Sequence, residues 1–500
     1  MIKVAMIGAG SAKFARRLAR DILIVPELQD TEFRLTDTHE GRLAIAEKMF
    51  ERDIRENGLP AKVMASTDRR EVLKDADFVI IMIRAGGIPG FTNNVEIPLK
   101  YGVDQCIGDT LGPGGIMYGQ MEIPPILEFC KDIREVSKPG AIVLNYSNPN
   151  AMVTWAMLKY GKVNGVGLCH GVQHTSMQLA QLLNIPLEEL DFSAGGINHM
   201  TWFTKLSHNG KDLTGKLLAA FESDEAMMEK EKVRVDILRR TGYYCTESSG
   251  FISEMTPWYR KRPEKLGDWV TLDEDHHHGE TAGGLRFNTE QRQWVDYDMP
   301  HWLELPVEPI TPEERTEEHA SYIIEGLVTG RTYRGHFNVK NEGVIPNLAA
   351  DAIIEVPGYV DRNGISIPHY GKLPMICAAM CESNIQPQRL GVEAAVMGDA
   401  ELLKQAMMMD PLTGAKLTTP EIWQMVDEML VANEAWLPQY GKAIKEAKEN
   451  LKSLPPVESN GMPPTRRNIK TLEEMIEEAE ASRARAMAIS TGKHHRHGMQ

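Results

Sequence analysis

The chain has 500 residues, a formal net charge of −15 at pH 7, and an ordinary globular composition with 42% hydrophobic and 25% charged residues. An acidic surface repels phosphate backbones and anionic headgroups, so we expect neither nucleic acid nor a membrane as a partner. The length predicts two or three domains.

The cysteines and the N-terminus predict a cytoplasmic protein. Six cysteines are spread thinly and form no CxxC pair, which is typical of a reducing compartment. Cys377 and Cys381 are four residues apart, and we expect buried structural thiols there. The first residues lead directly into a strand-like run without the features of a secretory signal. No apolar run approaches the roughly 20 residues that span a bilayer.

The first 195 residues alternate short apolar runs with helical patterns. The run over 77–83 has no polar alternation, which is typical of a strand buried on both faces. Such alternation favours an α/β fold with a Rossmann-like, doubly wound parallel sheet. Strands are predicted over 2–7, 33–37, 77–83, 141–146 and 166–169, and helices over 14–24 and 39–57.

The pattern changes after about residue 195. Residues 200–370 mix strand-like segments, charged helices and loops, which indicates a second, mixed α+β region, and residues 391–449 return to helical periodicity. A loop is predicted over 273–284, and the prolines within 454–468 indicate a linker before a charged helix over 471–489. The predicted regions are therefore 1–195, 196–450 and 451–500.

A glycine-rich turn lies between the first predicted strand and the first helix. Gly8 permits a tight turn, and Gly10 lets the backbone approach a pyrophosphate on the helix N-terminus, next to Ser11. Asp37 ends the second strand, 27 residues after Gly10. Its carboxylate can accept hydrogen bonds from the ribose of NAD and would repel the 2′-phosphate of NADP. The third glycine of the usual fingerprint is absent, but the context still favours an NAD site.

A cysteine and a histidine are candidate metal ligands. Cys169 follows a buried strand, and His199 comes 30 residues later in Gly-Ile-Asn-His. Thiolate and imidazole suit Mn, Fe, Co or Zn, although the pair equally fits a buried thiol and a core histidine. The runs His276–His278 and His494–His497 are more readily explained as solvated.

Two polar segments are candidate ligand contacts. The glycine-dense stretch 108–115, which contains Asp109, predicts a flexible loop that folds over a ligand, or a plain surface loop. Asn145 and Asn148 follow a predicted parallel strand and offer amides that suit hydroxyl groups.

Together these segments resemble glycoside hydrolase family 4, nearest its α-galactosidase (melibiase-type) branch. The likeness runs from residue 2 to about residue 440. The segments that carry it are 8–11, 109–115, 145–149, 169–172, 196–199, 242–249, 356–361 and 409–411.

The resemblance implies that α-linked glycosides are hydrolysed by oxidation, elimination and addition, with NAD+ and a divalent metal such as Mn2+. This family is an exception to the two-carboxylate scheme of glycosidases. The resemblance also implies that region 1–195 binds NAD, and that region 196–450 binds the sugar and mediates oligomerisation. The implied roles are cofactor binding for Gly8, Gly10, Ser11 and Asp37, metal ligation for Cys169 and His199, sugar contacts for Asn148 and Asn145, and catalysis for His170 (the acid), Asp109, Glu247 and Tyr243.

Two departures from the branch leave the sugar open. Gly171 replaces a usual serine, and Gly250-Phe251 replaces a usual Glu-His. The alternatives are an α-galacturonidase or α-glucuronidase, or an α-glucosidase, of the same family. Outside it, a malate- or lactate-type dehydrogenase or an NAD-binding sensor would share the glycine turn but would not need Cys169. The resemblance also implies a homodimer or homotetramer.

Overall fold

A computed structural model describes residues 1–271, 278–455, 457 and 468–481. Its strands form one continuous mixed sheet. They are β1 (Lys3–Ile7), β2 (Glu32–Thr36), β3 (Lys62–Ala65), β4 (Phe78–Ile81), β5 (Ile142–Asn145), β6 (Asn164–Gly167), β7 (Leu190–Ile197), β8 (Met200–His208), β9 (Lys211–Asp212), β10 (Tyr244–Cys245), β11 (Tyr333–Lys340), β12 (Ile353–Asp361) and β13 (Gly364–Ser366).

The first half of the sheet is parallel, in the order β3-β2-β1-β4-β5-β6. This is the strand order of a dinucleotide-binding fold, in which ligands bind outside the carboxyl ends where the order reverses, here between β1 and β4. The predicted Rossmann-like sheet is confirmed, although β3 was not predicted.

The second half of the sheet is antiparallel and continues from β6 through β11, β12, β7, β8 and β10. β13 pairs with β12, and β9 pairs with β8. The predicted boundary at residue 195 falls inside β7, so one sheet joins the two regions.

Helices cover both faces of the parallel half. Apolar residues of α1, α2 and α13 pack on one face, and those of α3, α5 and α6 pack on the other. The helices are α1 (Ala12–Leu23), α2 (Glu40–Glu56), α3 (Arg69–Leu73), α4 (Gly87–Lys100), α5 (Gly112–Val136), α6 (Asn150–Ala156), α7 (Gly171–Leu183), α8 (Leu217–Glu222), α9 (Glu225–Lys230), α10 (Lys232–Thr241), α11 (Ser249–Glu254), α12 (Gly283–Asp298), α13 (His319–Thr329), α14 (Met375–Met397), α15 (Ala400–Met409), α16 (Pro411–Lys416), α17 (Thr419–Ala432) and α18 (Gly441–Ser453).

The C-terminal predictions are only partly described. The periodicity over 391–449 corresponds to the end of α14 and to α15–α18. Residues 472–481 are helical, but the rest of the helix predicted over 471–489, most of the proline-rich linker and His494–His497 lie outside the described residues. Among the described helices, none combines the length and the apolarity needed to cross a bilayer.

The prediction of a flexible loop over 108–115 is wrong for its second half. Residues 112–115 form the first turn of α5 and are buried. A Cβ on Gly114 would lie 2.8 Å from the carbonyl oxygen of Asn94, and a Cβ on Gly115 would lie 2.5 Å from the carbonyl carbon of Thr110. These glycines permit close packing of backbones rather than movement.

Glu254 and Arg260, from the second half of the chain, fix the preceding loop, residues 104–110. The carboxylate of Glu254 accepts the N–H groups of residues 106–108, at 2.9, 3.1 and 3.1 Å. Arg260 donates to the carbonyl of Asp104 at 3.0 Å and pairs with its carboxylate at 2.8 Å. The loop is therefore held from across the boundary between the two regions.

The prediction of a loop over 273–284 is wrong at its C-terminal end, which is helical. Gly283 and Gly284 begin α12, and Gly284 donates its N–H to the carbonyl of Cys106 at 2.7 Å. His278 is buried, with 6% exposure, so the prediction of a solvated histidine is wrong there, while His276 and His277 lie outside the described residues. Cys377 and Cys381 are both fully buried and free, as predicted.

We expect Gly115→Ala to lower the thermal unfolding midpoint, because its Cβ would collide with rigid backbone, an overpacking cost of about 1–3 kcal/mol. Gly119→Ala is the matched control in the same helix, since its Cβ would meet only the flexible end of Met152. Calorimetry of both variants checks this. Equal midpoints would contradict the packing role of Gly115.

Candidate active site

The turn after β1 is shaped as a cradle for a dinucleotide. Gly8 has φ +91°, and a Cβ there would lie 2.4 Å from the carbonyl oxygen of Met82. A Cβ on Gly10 would lie 2.6 Å from the carboxylate of Asp37, which accepts the N–H of Gly10 at 2.8 Å. The N–H of His39 binds the same carboxylate at 2.8 Å, so Asp37 is fixed at the strand end. Glycine is therefore required at both positions.

Three potential metal ligands meet at the carboxyl ends of different strands. Cys169 follows β6, His199 lies in the turn between β7 and β8, and Glu247 follows β10. Their ligand atoms all lie within 4.8 Å of one another. Sγ of Cys169 is 3.2 Å from Oε1 of Glu247, and Nε2 of His199 is 4.0 Å from the same oxygen. One thiol, one imidazole and one carboxyl form a donor set that suits a divalent transition metal.

The ring of His199 is oriented from behind. Ile197 and Met200 pair at the end of the hairpin, which leaves His199 in a two-residue turn with φ +63°. Its Nδ1 lies 2.8 Å from Oγ1 of Thr110. A partner on one ring nitrogen directs the other toward a metal, as in many metal-binding histidines.

Gly171 makes room for the carboxyl of Glu247. A Cβ on Gly171 would lie 1.8 Å from Oε1 and 2.6 Å from Cδ of Glu247. The N–H of Gly171 also donates to Sγ of Cys169 at 3.4 Å. The glycine that departs from the expected serine is therefore needed for this arrangement of ligand atoms.

Burial and the neighbouring carboxyls both act on the Cys169 thiol. Burial raises its pKa well above the usual range, and Glu247 and Glu355 would raise it further wherever they are ionised. A cation at this point would offset both effects, because metals bind the thiolate form.

His170 projects into the same space and carries a positive charge at neutral pH. Its Nδ1 lies 3.6 Å from Oε1 of Glu318. Burial alone lowers the pKa of His170, but the close carboxyl of Glu318 and the charges of Glu247, Glu318 and Glu317 outweigh burial and raise the pKa to about 9.

The start of α13 clamps the start of α7. Glu317 accepts a hydrogen bond from Nε2 of His174 at 2.9 Å, one turn after His170. His319 lies with Nε2 at 2.9 Å from the carbonyl oxygen of Cys169, and burial lowers its pKa to about 4, so it is neutral. The segment that carries the Cys169 thiol is thus held at two points by residues at the start of α13.

Asp109 directly precedes Thr110, which contacts His199 of the candidate metal cluster, that is Cys169, His199 and Glu247. Its Oδ2 accepts hydrogen bonds from Nη2 of Arg84 at 3.2 Å and from Nδ2 of Asn148 at 3.3 Å. The guanidinium of Arg84 also lies over the rings of Phe91 and Tyr118, at 4.6 and 5.0 Å. Arg84 and Asn148 therefore supply a fixed cation and an amide to the cavity that the candidate metal ligands also line.

One cavity of about 1410 Å³ connects the glycine cradle with the metal cluster. It exceeds the roughly 300–1,000 Å³ of ordinary small-ligand sites, so it can hold a dinucleotide together with a second ligand. Its lining includes Gly8, Gly10, Ser11, Asp37, Arg84, Asn148, Cys169, His170, His199, Glu247 and Phe251.

Three residues predicted for the site do not line the described part of this cavity. Asp109 touches its wall through Arg84 and Asn148. Asn145 is fully buried, and both ends of its amide bind Ser147 at 3.1 Å, so its side chain stabilises the turn after β5. Tyr243 packs against the hydrophobic core.

Arg84, Thr110 and Glu318 were not predicted as functional residues from the sequence. Arg84 could have been found, since it follows β4 at the carboxyl edge, where the other candidates were sought. Thr110 contacts His199 and Glu318 contacts His170. Each pair is distant in sequence, and no local pattern indicates either contact.

This fold and site define a class of protein: an α/β fold of the dinucleotide-binding type, with a Cys/His/Glu cluster that could hold a metal ion in the same cavity. Residues 3–185 match the family 4 glycosyl hydrolases, and residues 194–413 match the family 4 glycosyl hydrolase C-terminal domain. The chain belongs to glycosyl hydrolase family 4. The predicted family and glycosidase class are confirmed, in preference to a dehydrogenase or a sensor.

The chain is similar to two bacterial α-galactosidases over nearly their whole lengths. The α-galactosidase of Rhizobium meliloti (strain 1021) is 51% identical over 97% of this chain and 99% of the relative. The α-galactosidase of Bacillus subtilis (strain 168) is 34% identical over 88% of this chain and 100% of the relative.

Solved structures share the fold. The putative glucosidase lplD of Bacillus subtilis has a TM-score of 0.74 at 25% identity, covering 86% of this chain and 100% of its own. A 6-phospho-α-glucosidase from gut microorganisms, in complex with NAD and Mn2+, has a TM-score of 0.72 at 21% identity, covering 87% and 99%.

We expect Gly171→Ala to weaken binding of Mn2+ by at least roughly tenfold, because the added Cβ must displace the carboxyl of Glu247 from the cluster. Gly215→Ala is the matched control, since nothing lies within 4 Å of its Cβ. Titration calorimetry with Mn2+ checks both variants. Unchanged affinity in Gly171→Ala would remove Glu247 from the ligand set.

Proposed function

We propose that this protein is an α-galactosidase that uses NAD+ and a divalent metal, Mn2+ being the candidate. The single cavity that connects the Gly8–Gly10 cradle with Cys169, His199 and Glu247 carries the proposal, because this chemistry needs both groups beside one sugar. The relative at 51% identity supports galactose as the sugar.

The residues present fit both groups. Gly8, Gly10 and Ser11 would hold the pyrophosphate of NAD, and Asp37 its ribose. Cys169, His199 and Glu247 would hold the metal, so Glu247, first predicted as a catalytic residue, is better assigned as a ligand. When bound, NAD would accept and return a hydride, and the metal would act as a Lewis acid toward the sugar hydroxyls.

The chain itself would orient the sugar and supply a proton. His170 lines the cavity next to Cys169, and we assign it as the acid that protonates the leaving glycosidic oxygen. Glu318 would keep its ring in place. Asn148 and Arg84 are the proposed contacts of the sugar hydroxyls, with Asp109 fixing both from behind.

Neither Tyr243 nor Glu247 is the base of the elimination step in this proposal. Tyr243 packs in the core, and the Glu247 carboxyl is committed to the cluster. We further propose that the protein works in the cytoplasm as a homodimer or homotetramer, with a small sugar as its partner. The scattered cysteines, which form no CxxC pair, and the family support that setting.

We expect hydrolysis of p-nitrophenyl α-galactoside in the presence of NAD+, Mn2+ and reductant, and loss of activity when either NAD+ or Mn2+ is omitted. The matched panel is the α-glucoside, α-galacturonide and α-glucuronide, which cover the other sugars open to this family. Release of p-nitrophenol measures each. Activity without NAD+ would contradict the mechanism. A preference for a uronide or a glucoside would show that galactose is not the sugar that the protein recognises.

Cys169→Ala should abolish metal-dependent hydrolysis, because the thiolate is lost from the donor set, while NAD affinity stays close to wild type, since the cradle is untouched. Cys377→Ala is the control at a buried core thiol. Hydrolysis rates and NAD titration by fluorescence report on the two sites separately. Full activity in Cys169→Ala would reject the ligand assignment.

A further inference from the structure

Thr201 connects the chain segment that carries His199 with the segment that carries Glu247. Its N–H donates to Oγ1 of Thr246 at 3.0 Å, and its carbonyl oxygen accepts the N–H of Thr246 at 3.0 Å. Thr201 lies two residues after His199, and Thr246 directly precedes Glu247. This reciprocal pair therefore sets the distance between an imidazole ligand and a carboxyl ligand.

The hydroxyl of Thr201 has two neighbours and one hydrogen. Oγ1 lies 3.1 Å from the carbonyl oxygen of Ile197 and 2.8 Å from Oε2 of Glu355. An ionised carboxylate can only accept, so one of the two contacts would then lack a proton. A protonated Glu355 donates to Oγ1, and the hydroxyl then donates to Ile197, which satisfies both contacts.

Glu355 sits in one row of residues that crosses the sheet. The register aligns Asn338 of β11 with Glu355 of β12, then with Gly196 of β7 and Thr201 of β8. Gly196 has no side chain, so Thr201 reaches across it to Glu355. A Cβ on Gly196 would lie 2.3 Å from a carbonyl oxygen.

The surroundings of Glu355 oppose a negative charge. The residue is 1% exposed, and within the described chain no lysine or arginine forms an ion pair with it. Burial raises the pKa of Glu355 to about 8, and the charge of Glu247 contributes to this increase. The hydrogen bond with Thr201 and the charge of His170 lower the pKa by smaller amounts. Cys169 also faces it, and a thiolate there would further disfavour ionisation. An ionised carboxylate in such a place is strongly disfavoured without a positively charged partner.

We propose that Glu355 is a positioning residue that is held as the neutral acid and donates its proton to Thr201, which fixes the hairpin of His199 against the segment of Glu247. The inference rests on the proposed metal site but not on the identity of the sugar. Glu355 itself touches neither sugar nor metal in this proposal.

The test compares Glu355→Gln with Glu355→Ala in the full-length protein, by titration with Mn2+ alone. An amide donates to Thr201 as a neutral acid does, so Glu355→Gln should bind Mn2+ within about twofold of wild type, whereas Glu355→Ala should lose roughly tenfold or more. Equal losses in both variants would overturn the proposal.

A pH series of thermal unfolding without metal tests the protonation state directly. Since the folded pKa of about 8 lies above the usual 4.5, the stabilising contribution is complete below about pH 4.5 and is lost as the pH rises through 8. The unfolding midpoint of wild type should therefore fall relative to Glu355→Gln between about pH 5 and pH 9. A relative rise would show an ionised acceptor and overturn the proposal.

Thr201→Val separates this role from general packing. Removing the hydroxyl should reduce Mn2+ affinity as much as Glu355→Ala, and the double variant should lose no more than either single one, because the two residues act as a unit. Additive losses would contradict the link. The Mn2+ titrations and the unfolding series use no sugar, so a failure of the proposed glycosidase activity can be distinguished from a failure of this inference.

Discussion

The main constraint on the site is electrostatic, because a thiol and two carboxyls lie close together in a buried cavity. Cys169 and Glu247 are 3.2 Å apart, and Glu355 is near enough to raise the pKa of the thiol. Without a cation the thiol remains protonated, because burial and neighbouring negative charge both disfavour a thiolate. A divalent ion would allow the thiol to ionise beside Glu247, while a protonated Glu355 adds no further charge.

The ligand atoms are positioned by contacts from both halves of the chain. Thr110 orients His199, and the loop that contains Thr110 is held by Glu254 and Arg260 from the second half. The start of α13 holds the segment of Cys169 in the same way. The cluster therefore forms only when the two halves are docked, which gives these buried charged contacts a structural reason.

Local patterns predicted the parallel half of the fold and the elements of the site that follow strand ends. Asp37, Cys169 and the Gly8–Gly10 turn were found because the carboxyl ends of parallel strands lie on one edge. The sequence did not reveal the antiparallel strands that extend the sheet, since their pairing is non-local. The loop prediction for 112–115 failed because glycine serves close packing as well as flexibility.

The same limit applies to individual side chains. Gly171 was recognised as a departure from the family, but its reason is a carboxyl 76 positions away in the sequence. Asn145 and Asn148 looked equivalent, yet Asn145 is used within the turn after β5, and only Asn148 lines the cavity. Such distinctions depend on which partner reaches a side chain first in three dimensions.

The continuous sheet has a consequence for how the chain is made. β6 ends the parallel half and is covered on its far side by β11, which begins at Tyr333. During synthesis, β6 must remain an open edge until more than 160 further residues have emerged. An unpaired edge can recruit strands of other chains, so a nascent or truncated first half would be prone to self-association until its own β11 arrives.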